Sequence, residues 1–173
     1  MPQLIKHNKK YGKLISDIQL DQIFTHLVQV NLIFARMELI KTKFETSLQV
    51  RPDDIDMNQH VHSSRYIDYV LAARFDQMER CYKMPMKEFI KHGFGWVIRN
   101  TFMEFKRPLL LGEHMKIITW IDEMQKDGVK VNFEIQKDNG KQSCTGYFNY
   151  TMVSLESGRA AIIPDWIKER YSI

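Results

Sequence analysis

Residues 51–66 read RPDDIDMNQHVHSSRY, a polar stretch that joins two regular sequence patterns. It lies between an alternating strand pattern at Lys41–Val50 and an apolar helical pattern at Arg65–Glu79. A helix N-terminus offers unpaired backbone N–H donors and the positive end of the helix dipole, which suits an oxyanion. A nearby carboxylate stays ionised there and can act as a base or nucleophile. The polar side chains of the stretch are therefore candidates for a site: Asp53, Asp54, Asp56, Asn58, His60 and His62.

Three other interpretations of these side chains are open at this point. Asp and Asn are common in loops because they form turns and cap helices. Asp54, Asp56 and Asn58 also match the first ligand positions of a calcium-binding loop, but Gln59 and Arg65 stand where Gly and Glu are needed. The two histidines could bind zinc, although no further ligand cluster stands nearby in the sequence.

The sequence after the helix is typical of an antiparallel sheet. Asp127-Gly128 and Asn139-Gly140 indicate tight turns between strands. The predicted strands are Gly95–Arg107, His114–Met124, Val129–Lys137 and Lys141–Leu155, and short helices are predicted at Met86–Lys91 and Asp165–Tyr171. One strand, one helix and four further strands predict an α+β fold in which a five-stranded antiparallel sheet wraps around the helix.

The central helix has apolar residues on nearly all sides, which predicts burial on most faces. Ser63 or Ser64 precedes it and is a candidate N-cap, since a hydroxyl can accept a free backbone N–H. A second helical pattern runs from Ser16 to Met37, with apolar residues three or four positions apart. We expect residues 1–36 to form a helical arm and residues 37–173 a single domain. An alternative is that Met37 is the natural start.

Composition and charge narrow the class of protein. The net charge of +4 is spread out, without the dense basic patch of a nucleic-acid-binding protein, and suits an anionic ligand such as a phosphorylated cofactor. The most apolar stretch, residues 23–35, contains polar residues and is shorter than the ~20 apolar residues of a membrane-spanning helix. Cys81 and Cys144 lack metal-type spacing and favour a reduced, cytoplasmic protein.

Two blocks of the sequence resemble a known family. Residues 51–66 resemble the R-x-x-D-x-D-x-x-G-H-V-N-N-x-x-Y signature of hotdog-fold acyl thioesterases of the 4-hydroxybenzoyl-CoA thioesterase type. Asp56–Val61 is also similar to the site of plant acyl-ACP thioesterases, and residues 105–113 (FKRPLLLGE) resemble the family's aromatic-x-R-P-x-x-x-G-D block. The likeness covers Lys41 to about Ser154. The chain departs from the signature at Gln59, where Gly is usual, and at His62 and Ser63, where Asn-Asn is usual.

The resemblance implies roles for particular residues. Asp56 corresponds to the catalytic carboxylate, which activates water or attacks the thioester carbonyl, while Asn58 and His60 correspond to residues that orient the carbonyl or the water. Backbone N–H groups near the helix start would hold the oxyanion, so His62, Ser63 and Ser64 are expected to contact substrate. Asp54 is interpreted as a loop-shaping residue and Tyr66 as a core residue.

The resemblance also implies a hotdog fold, a homodimer or homotetramer, and hydrolysis of an acyl-CoA or acyl-ACP thioester without a metal or organic cofactor. Trp96, Ile98 and Phe102 are candidates for an acyl tunnel, with core packing as the alternative. A non-catalytic hotdog protein that binds acyl-CoA is the alternative function, and a hotdog dehydratase is a further one against which the motif argues. An ionised aspartate beside a thioester carbonyl favours hydrolysis.

Overall fold

A computed structural model shows a five-stranded antiparallel sheet packed against a long helix. The structure describes residues 41–172, so the predicted arm at residues 1–36 lies outside the described residues. The strands follow the order β1-β3-β4-β5-β2 across the sheet. Their bounds are β1 Phe44–Gln49, β2 Phe94–Phe105, β3 His114–Met124, β4 Gly128–Lys137 and β5 Gln142–Ser154. Every strand predicted from the sequence is present, with ends shifted by three residues or fewer.

The turns between the last three strands form where the sequence predicts them. Between β3 and β4, the N–H of Gln125 donates to the carbonyl of Gly128 over 2.8 Å. Between β4 and β5, Gly140 has φ +74°, a left-handed conformation that glycine adopts without steric cost. Side chains of β4 alternate between buried and half-buried positions, because successive residues of a strand face opposite sides of the sheet.

The long helix α1, Arg65–Arg80, packs on β3, β4 and β5. Val70 and Ala73 are fully buried against Ile117, Phe133 and Phe148 of the sheet. This is the α+β hotdog arrangement that the sequence predicts, a five-stranded antiparallel sheet around one long helix, and the prediction is confirmed.

Two predictions about α1 are wrong in detail. The helix is not buried on most faces, because Ala72 and Phe75 are exposed, Phe75 to 52%. Ser64 occupies the N-cap position, as predicted, but its hydroxyl accepts no backbone N–H of the helix. The carbonyl of His62 accepts from the N–H of Arg65 over 2.9 Å, and the Ser64 hydroxyl pairs with the His62 ring instead.

Two short helices complete the described chain. Helix α2 covers Met86–Lys91 and ends before Gly93, which has φ +77°, and helix α3 covers Asp165–Tyr171. Phe89 of α2 and Ile167 of α3 are fully buried in a second apolar cluster beside the main core. Within residues 41–172, no helix has the length and apolar character needed to cross a membrane.

Candidate active site

The loop between β1 and α1 is held by one buried carboxylate. Asp54 lies in a short 3-10 turn, Pro52–Asp54, and is 1% exposed. The Tyr69 hydroxyl donates to its Oδ2 over 2.7 Å, and Arg51 Nε donates to the same oxygen over 3.2 Å. Arg65 Nε lies 3.5 Å from Oδ1. Asp54 therefore ties the loop to both ends of the first turn of α1, which agrees with its interpretation as a loop-shaping residue.

The same contacts keep Asp54 ionised. Burial raises the pKa of its carboxyl, but the hydrogen bonds from Arg51 and Tyr69 lower it more, so the pKa lies below the usual value. Because the carboxylate is engaged by these donors, it is not free to act in the chemistry of the loop.

The segment from Asp56 to His60 is a tight turn. The N–H of Asp56 donates to the carbonyl of His60, and the N–H of Gln59 donates to the carbonyl of Asp56, both over 3.0 Å. Ile55 and Val61 form an antiparallel bridge at its base. Gln59 has φ +63°, which explains why the resembling signature has glycine here: a side chain is strained in this conformation.

Replacing Gln59 with Gly is expected to stabilise the protein by up to about 1 kcal/mol. The left-handed conformation costs an L-residue ~1–2 kcal/mol, and the larger backbone entropy of glycine offsets part of that gain by ~0.5–1 kcal/mol. Urea unfolding measures the difference. Met57→Gly is the matched control, because Met57 is exposed in the same turn without a positive φ. It should lose stability, and a loss in both variants would contradict the prediction.

Asp56 projects from this turn, and its side chain is 18% exposed. Its Oδ1 accepts the backbone N–H of Asn58 over 2.8 Å, and its Oδ2 lies 3.4 Å from the Asn58 amide nitrogen. Burial raises the pKa of Asp56, but these hydrogen bonds and the neighbouring His60 and His62 lower it more, so its pKa lies below the usual value. The carboxylate is therefore held in one orientation and ionised at neutral pH.

A cavity of about 530 Å³ gathers most of the predicted site residues. Asp56, Asn58, His60, His62 and Ser63 all line it. Nδ1 of His60 lies 3.9 Å from Oδ1 of Asp56. Ser64 does not line the cavity, and it contacts the site only through the His62 ring, over 2.9 Å.

The opposite wall of the cavity contains residues that the sequence motifs do not predict as site residues. They are Phe105, the last residue of β2, and the three residues that follow it, Lys106, Arg107 and Pro108. These residues belong to residues 105–113, the second block that resembles the family. That resemblance was the one feature of the sequence that could have identified them as site residues. Tyr66 joins them at 3% exposure, and its ring meets that of Phe105 edge-on at 5.0 Å. Tyr66 is thus both a core residue, as predicted, and part of the cavity wall.

Two backbone donors remain available beside Asp56. Within the part of the chain that the structure describes, the N–H groups of His60 and Ser63 donate to no protein acceptor, whereas those of Val61, His62, Ser64 and Arg65 are engaged. Both residues line the cavity, and Ser63 stands just before α1. A developing oxyanion in the cavity could therefore accept hydrogen bonds from these groups.

Other chemistries find less support. Over residues 41–172, there is no group of three or more His, Cys, Asp or Glu side chains placed to hold a metal ion. Cys144 is fully buried, and burial raises the pKa of its thiol to about 12, so it is not a nucleophile at neutral pH. Cys81 is half-buried.

Residues 50–171 match the model of the thioesterase-like superfamily. The chain belongs to this superfamily. It is 20% identical over 127 residues to the long-chain acyl-CoA thioesterase FadM of Escherichia coli (strain K12), covering 73% of this chain and 95% of that protein. Two solved structures are similar in fold. One is a DHNA-CoA thioesterase from Staphylococcus aureus, with a TM-score of 0.70 and 19% identity over 75% of this chain and 89% of that one.

The other is the hypothetical protein TT1821 from Thermus thermophilus, with a TM-score of 0.69 and 25% identity over 74% of this chain and 96% of that one. Membership of the thioesterase-like superfamily supports thioester hydrolysis at the level of the family. The matched range contains both the Asp56 turn and the opposite wall of the cavity, so the family match and the cavity concern the same part of the chain.

Proposed function

We propose that this protein is an acyl thioesterase that hydrolyses acyl-CoA or acyl-ACP to a free acid and a thiol, with Asp56 as base or nucleophile. One observation carries the proposal: the ionised Asp56 lines the same cavity as Ser63, whose N–H donates to no acceptor within residues 41–172 and which stands just before α1. The motif around Asp56 supports a mechanism of the 4-hydroxybenzoyl-CoA thioesterase type. The Asn58 and His60 positions also resemble those of the plant enzymes.

As a general base, Asp56 takes a proton from water, and the resulting hydroxide attacks the thioester carbonyl carbon. The carbonyl oxygen becomes an oxyanion and accepts hydrogen bonds from the N–H groups of His60 and Ser63. One such donor is typically worth ~10²–10³ in rate. Collapse of the intermediate breaks the C–S bond, and the leaving thiolate takes up the proton that Asp56 accepted, so the thiol is released and Asp56 returns to its ionised form. Asn58 acts as a positioning residue, because both its N–H and its amide point at the Asp56 carboxylate.

The positive charges on the opposite wall of the cavity support a phosphate-containing carrier for the acyl group. Lys106 and Arg107 place two positive charges at the cavity. Arg107 Nη1 is held by the carbonyl of Gln142 over 3.0 Å, and Lys106 lies 3.4 Å from Glu104. Guanidinium and ammonium groups suit phosphate oxygens, and both coenzyme A and the phosphopantetheine arm of a carrier protein carry phosphate.

A non-catalytic acyl-CoA-binding protein is the second candidate, favoured by the fact that the Asp56–Asn58 contacts would serve as well in a purely structural turn. An acyl-CoA panel of varied chain length, assayed by free-thiol detection alongside equilibrium binding, separates the two. Thiol release from at least one member supports the thioesterase. Tight binding with no thiol release from any member would establish the binder instead.

The proposed assembly is a homodimer in which two copies meet through β2. Two such dimers could form a homotetramer. Within residues 41–172, β2 pairs with β5 alone and leaves its other edge open over twelve residues. Phe102 and Phe105 on this strand are 54% and 51% exposed. A long, apolar, open edge is a template for pairing with another chain, and a second copy would cover it. Because Phe105 lines the cavity, the partner would then lie beside the active site.

Phe102→Lys is expected to convert the dimer to a monomer, because a charge is costly to bury at a subunit interface. Light scattering after size-exclusion chromatography measures the mass. Ile90→Lys is the control, since Ile90 is 58% exposed but lies on α2 and not on the open edge strand β2, so its replacement should leave the dimer intact. A monomeric wild type, or loss of the dimer in both variants alike, would contradict the proposed interface.

A further inference from the structure

A second cavity, of about 380 Å³, takes no part in the chemistry proposed above. Residues of α1, β2, β4, β5 and α3 line it, and most of its wall is apolar. Met78, Val131 and Ile98 contribute to that wall. Such a surface favours methylene groups over water, so the cavity suits an alkyl chain.

One charged side chain stands in this apolar wall. Arg74 is 5% exposed, and Nη1 of its guanidinium donates to the Thr119 hydroxyl over 3.1 Å. The guanidinium also lies over the Tyr82 ring, 5.4 Å from its centroid. Among residues 41–172 it forms no ion pair with a carboxylate, although an arginine is always charged. A buried charge without a counter-charge is costly, and a guanidinium has several further N–H donors to offer.

Two neutral donors line the same cavity. Nε1 of Trp96 and the hydroxyl of Tyr150 are buried and have no hydrogen-bond partner within the described chain. Burial raises the pKa of Tyr150 to about 12, against a smaller lowering by Arg74, so the hydroxyl keeps its proton at neutral pH. An unsatisfied buried donor costs about 1–3 kcal/mol. The cavity therefore combines apolar walls with three groups that can donate hydrogen bonds, one of them positively charged.

We infer that this cavity binds the far end of the acyl group and that this end carries a carboxylate. A carboxylate supplies the counter-charge that Arg74 does not find among residues 41–172 and accepts from Arg74, Tyr150 and Trp96 together. The inference rests on the proposed thioesterase function and names its substrate class, the thioesters of dicarboxylic acids. Within residues 41–172, a plain alkyl end would leave Tyr150 and Trp96 without a hydrogen-bond partner and Arg74 without a counter-charge.

The helix sets the length of the acyl group. Tyr66 lines the first cavity and Arg74 the second, eight positions apart on α1. At a rise of 1.5 Å per residue, these positions are ~12 Å apart along the helix. A thioester carbonyl at Asp56 and a carboxylate at Arg74 thus require a chain of medium length.

The test compares octanedioyl-CoA with octanoyl-CoA, which differ in the far carboxylate. We expect kcat/KM for octanedioyl-CoA to be higher by about 10- to 100-fold, the range that hydrogen bonds to a charged group supply. Equilibrium binding of the same pair to the hydrolytically impaired Asp56→Asn protein should show the same preference. Equal or better use of octanoyl-CoA would overturn the inference and leave the thioesterase in place, whereas no thiol release from either ester would count against the thioesterase itself. Equal use of 8-hydroxyoctanoyl-CoA would overturn the assignment of a carboxylate.

Variants of the cavity residues test which side chains recognise the far carboxylate. Arg74→Met keeps the volume of the side chain and should abolish the preference, and Arg74→Lys should retain part of it. If Arg74→Met does not fold, Tyr150→Phe removes one hydroxyl and should reduce the preference by about 3- to 10-fold. Tyr147→Phe is the control, since Tyr147 lies on the same strand but does not line the cavity. An undiminished preference in folded Arg74→Met, or in Tyr150→Phe, would overturn the inference.

Discussion

Replacing Asp56 with Asn is expected to slow thiol release from acyl-CoA by about 10²- to 10⁴-fold, the range typical of losing a general base. The loss should fall on kcat, with little change in the affinity for substrate, because the amide keeps the volume and the polarity of the carboxylate. A nucleophilic Asp56 predicts a loss at least as large, since an amide oxygen does not attack the thioester.

Asparagine is the informative replacement for Asp56 because it removes the charge and preserves the turn. Its side-chain oxygen can still accept the N–H of Asn58, so the conformation from Asp56 to His60 should persist. Thermal unfolding should therefore occur within a few degrees of the wild type. Asp56→Ala removes the acceptor as well and mixes loss of the base with loss of the turn.

Asp53→Asn provides the matched control. Asp53 lies in the same loop, its side chain is 68% exposed, and its contact is an ion pair with Arg51 at 3.6 Å. Its replacement should leave the rate of thiol release near that of the wild type. If Asp56→Asn kept full activity, or if Asp53→Asn lost as much, the role of Asp56 would be refuted.

The pH dependence follows from the direction of the shift. The pKa of Asp56 lies below the usual value of about 3.9 for an aspartate, so the base form predominates throughout the neutral range. With respect to this group, kcat/KM should stay level from about pH 8 to 5 and fall only in more acid solution. A fall centred near neutral pH would assign the limiting base to another residue.

Local signals in the sequence were sufficient for most of the fold. Val131, Phe133 and Ile135 alternate with polar residues in the sequence, a pattern that predicts a strand with one buried face, and all three are buried in β4; the Asp-Gly and Asn-Gly pairs predict its ends. These patterns depend on residues close together in the sequence, so they can be interpreted without knowledge of the tertiary structure. The Ser64 hydroxyl does not cap the helix because it pairs with the His62 ring instead, and which of two hydrogen-bond partners a serine takes cannot be read from the sequence.

The site residues that lie close together in the sequence could be predicted. Those that distant segments bring to the same cavity could not. Asp56, Asn58 and His60 lie within five residues, and the family motif found them together. Lys106 and Arg107 reach the same cavity only because β2 ends beside the turn. In the sequence, Arg74 resembles an ordinary polar residue of a helix. Its burial depends on the packing of α1 against β3, where the Thr119 hydroxyl accepts a hydrogen bond from it.

Replacing Asp54 with Ala is expected to destabilise the protein by about 2–4 kcal/mol, because it removes the acceptor at the centre of the loop. The Tyr69 hydroxyl would remain buried without a partner, and Arg51 and Arg65 would lose their shared carboxylate. Since domains are typically stable by only ~5–15 kcal/mol, the loss is large. Urea unfolding with unchanged m-value would report it.

Tyr69→Phe separates the parts of this network. It removes only the hydroxyl that Asp54 accepts, and we expect a loss of about 1–2 kcal/mol. The double variant should lose less than the sum of the two single variants, because both remove the same hydrogen bond. Additive losses would show that Asp54 stabilises the loop by some other contact.

Acid solution tests whether the charge of Asp54 is what stabilises the loop. The folded-state pKa of Asp54 is lowered, so its contribution is complete above the unfolded value of about 3.9 and is lost as the pH falls through the folded value. The stability difference between wild type and Asp54→Ala should therefore be constant from about pH 8 to 5 and shrink below about pH 4. A difference that persists undiminished to pH 3 would mean that the neutral carboxyl holds the loop equally well, and the ion pairs with Arg51 and Arg65 would then contribute nothing measurable.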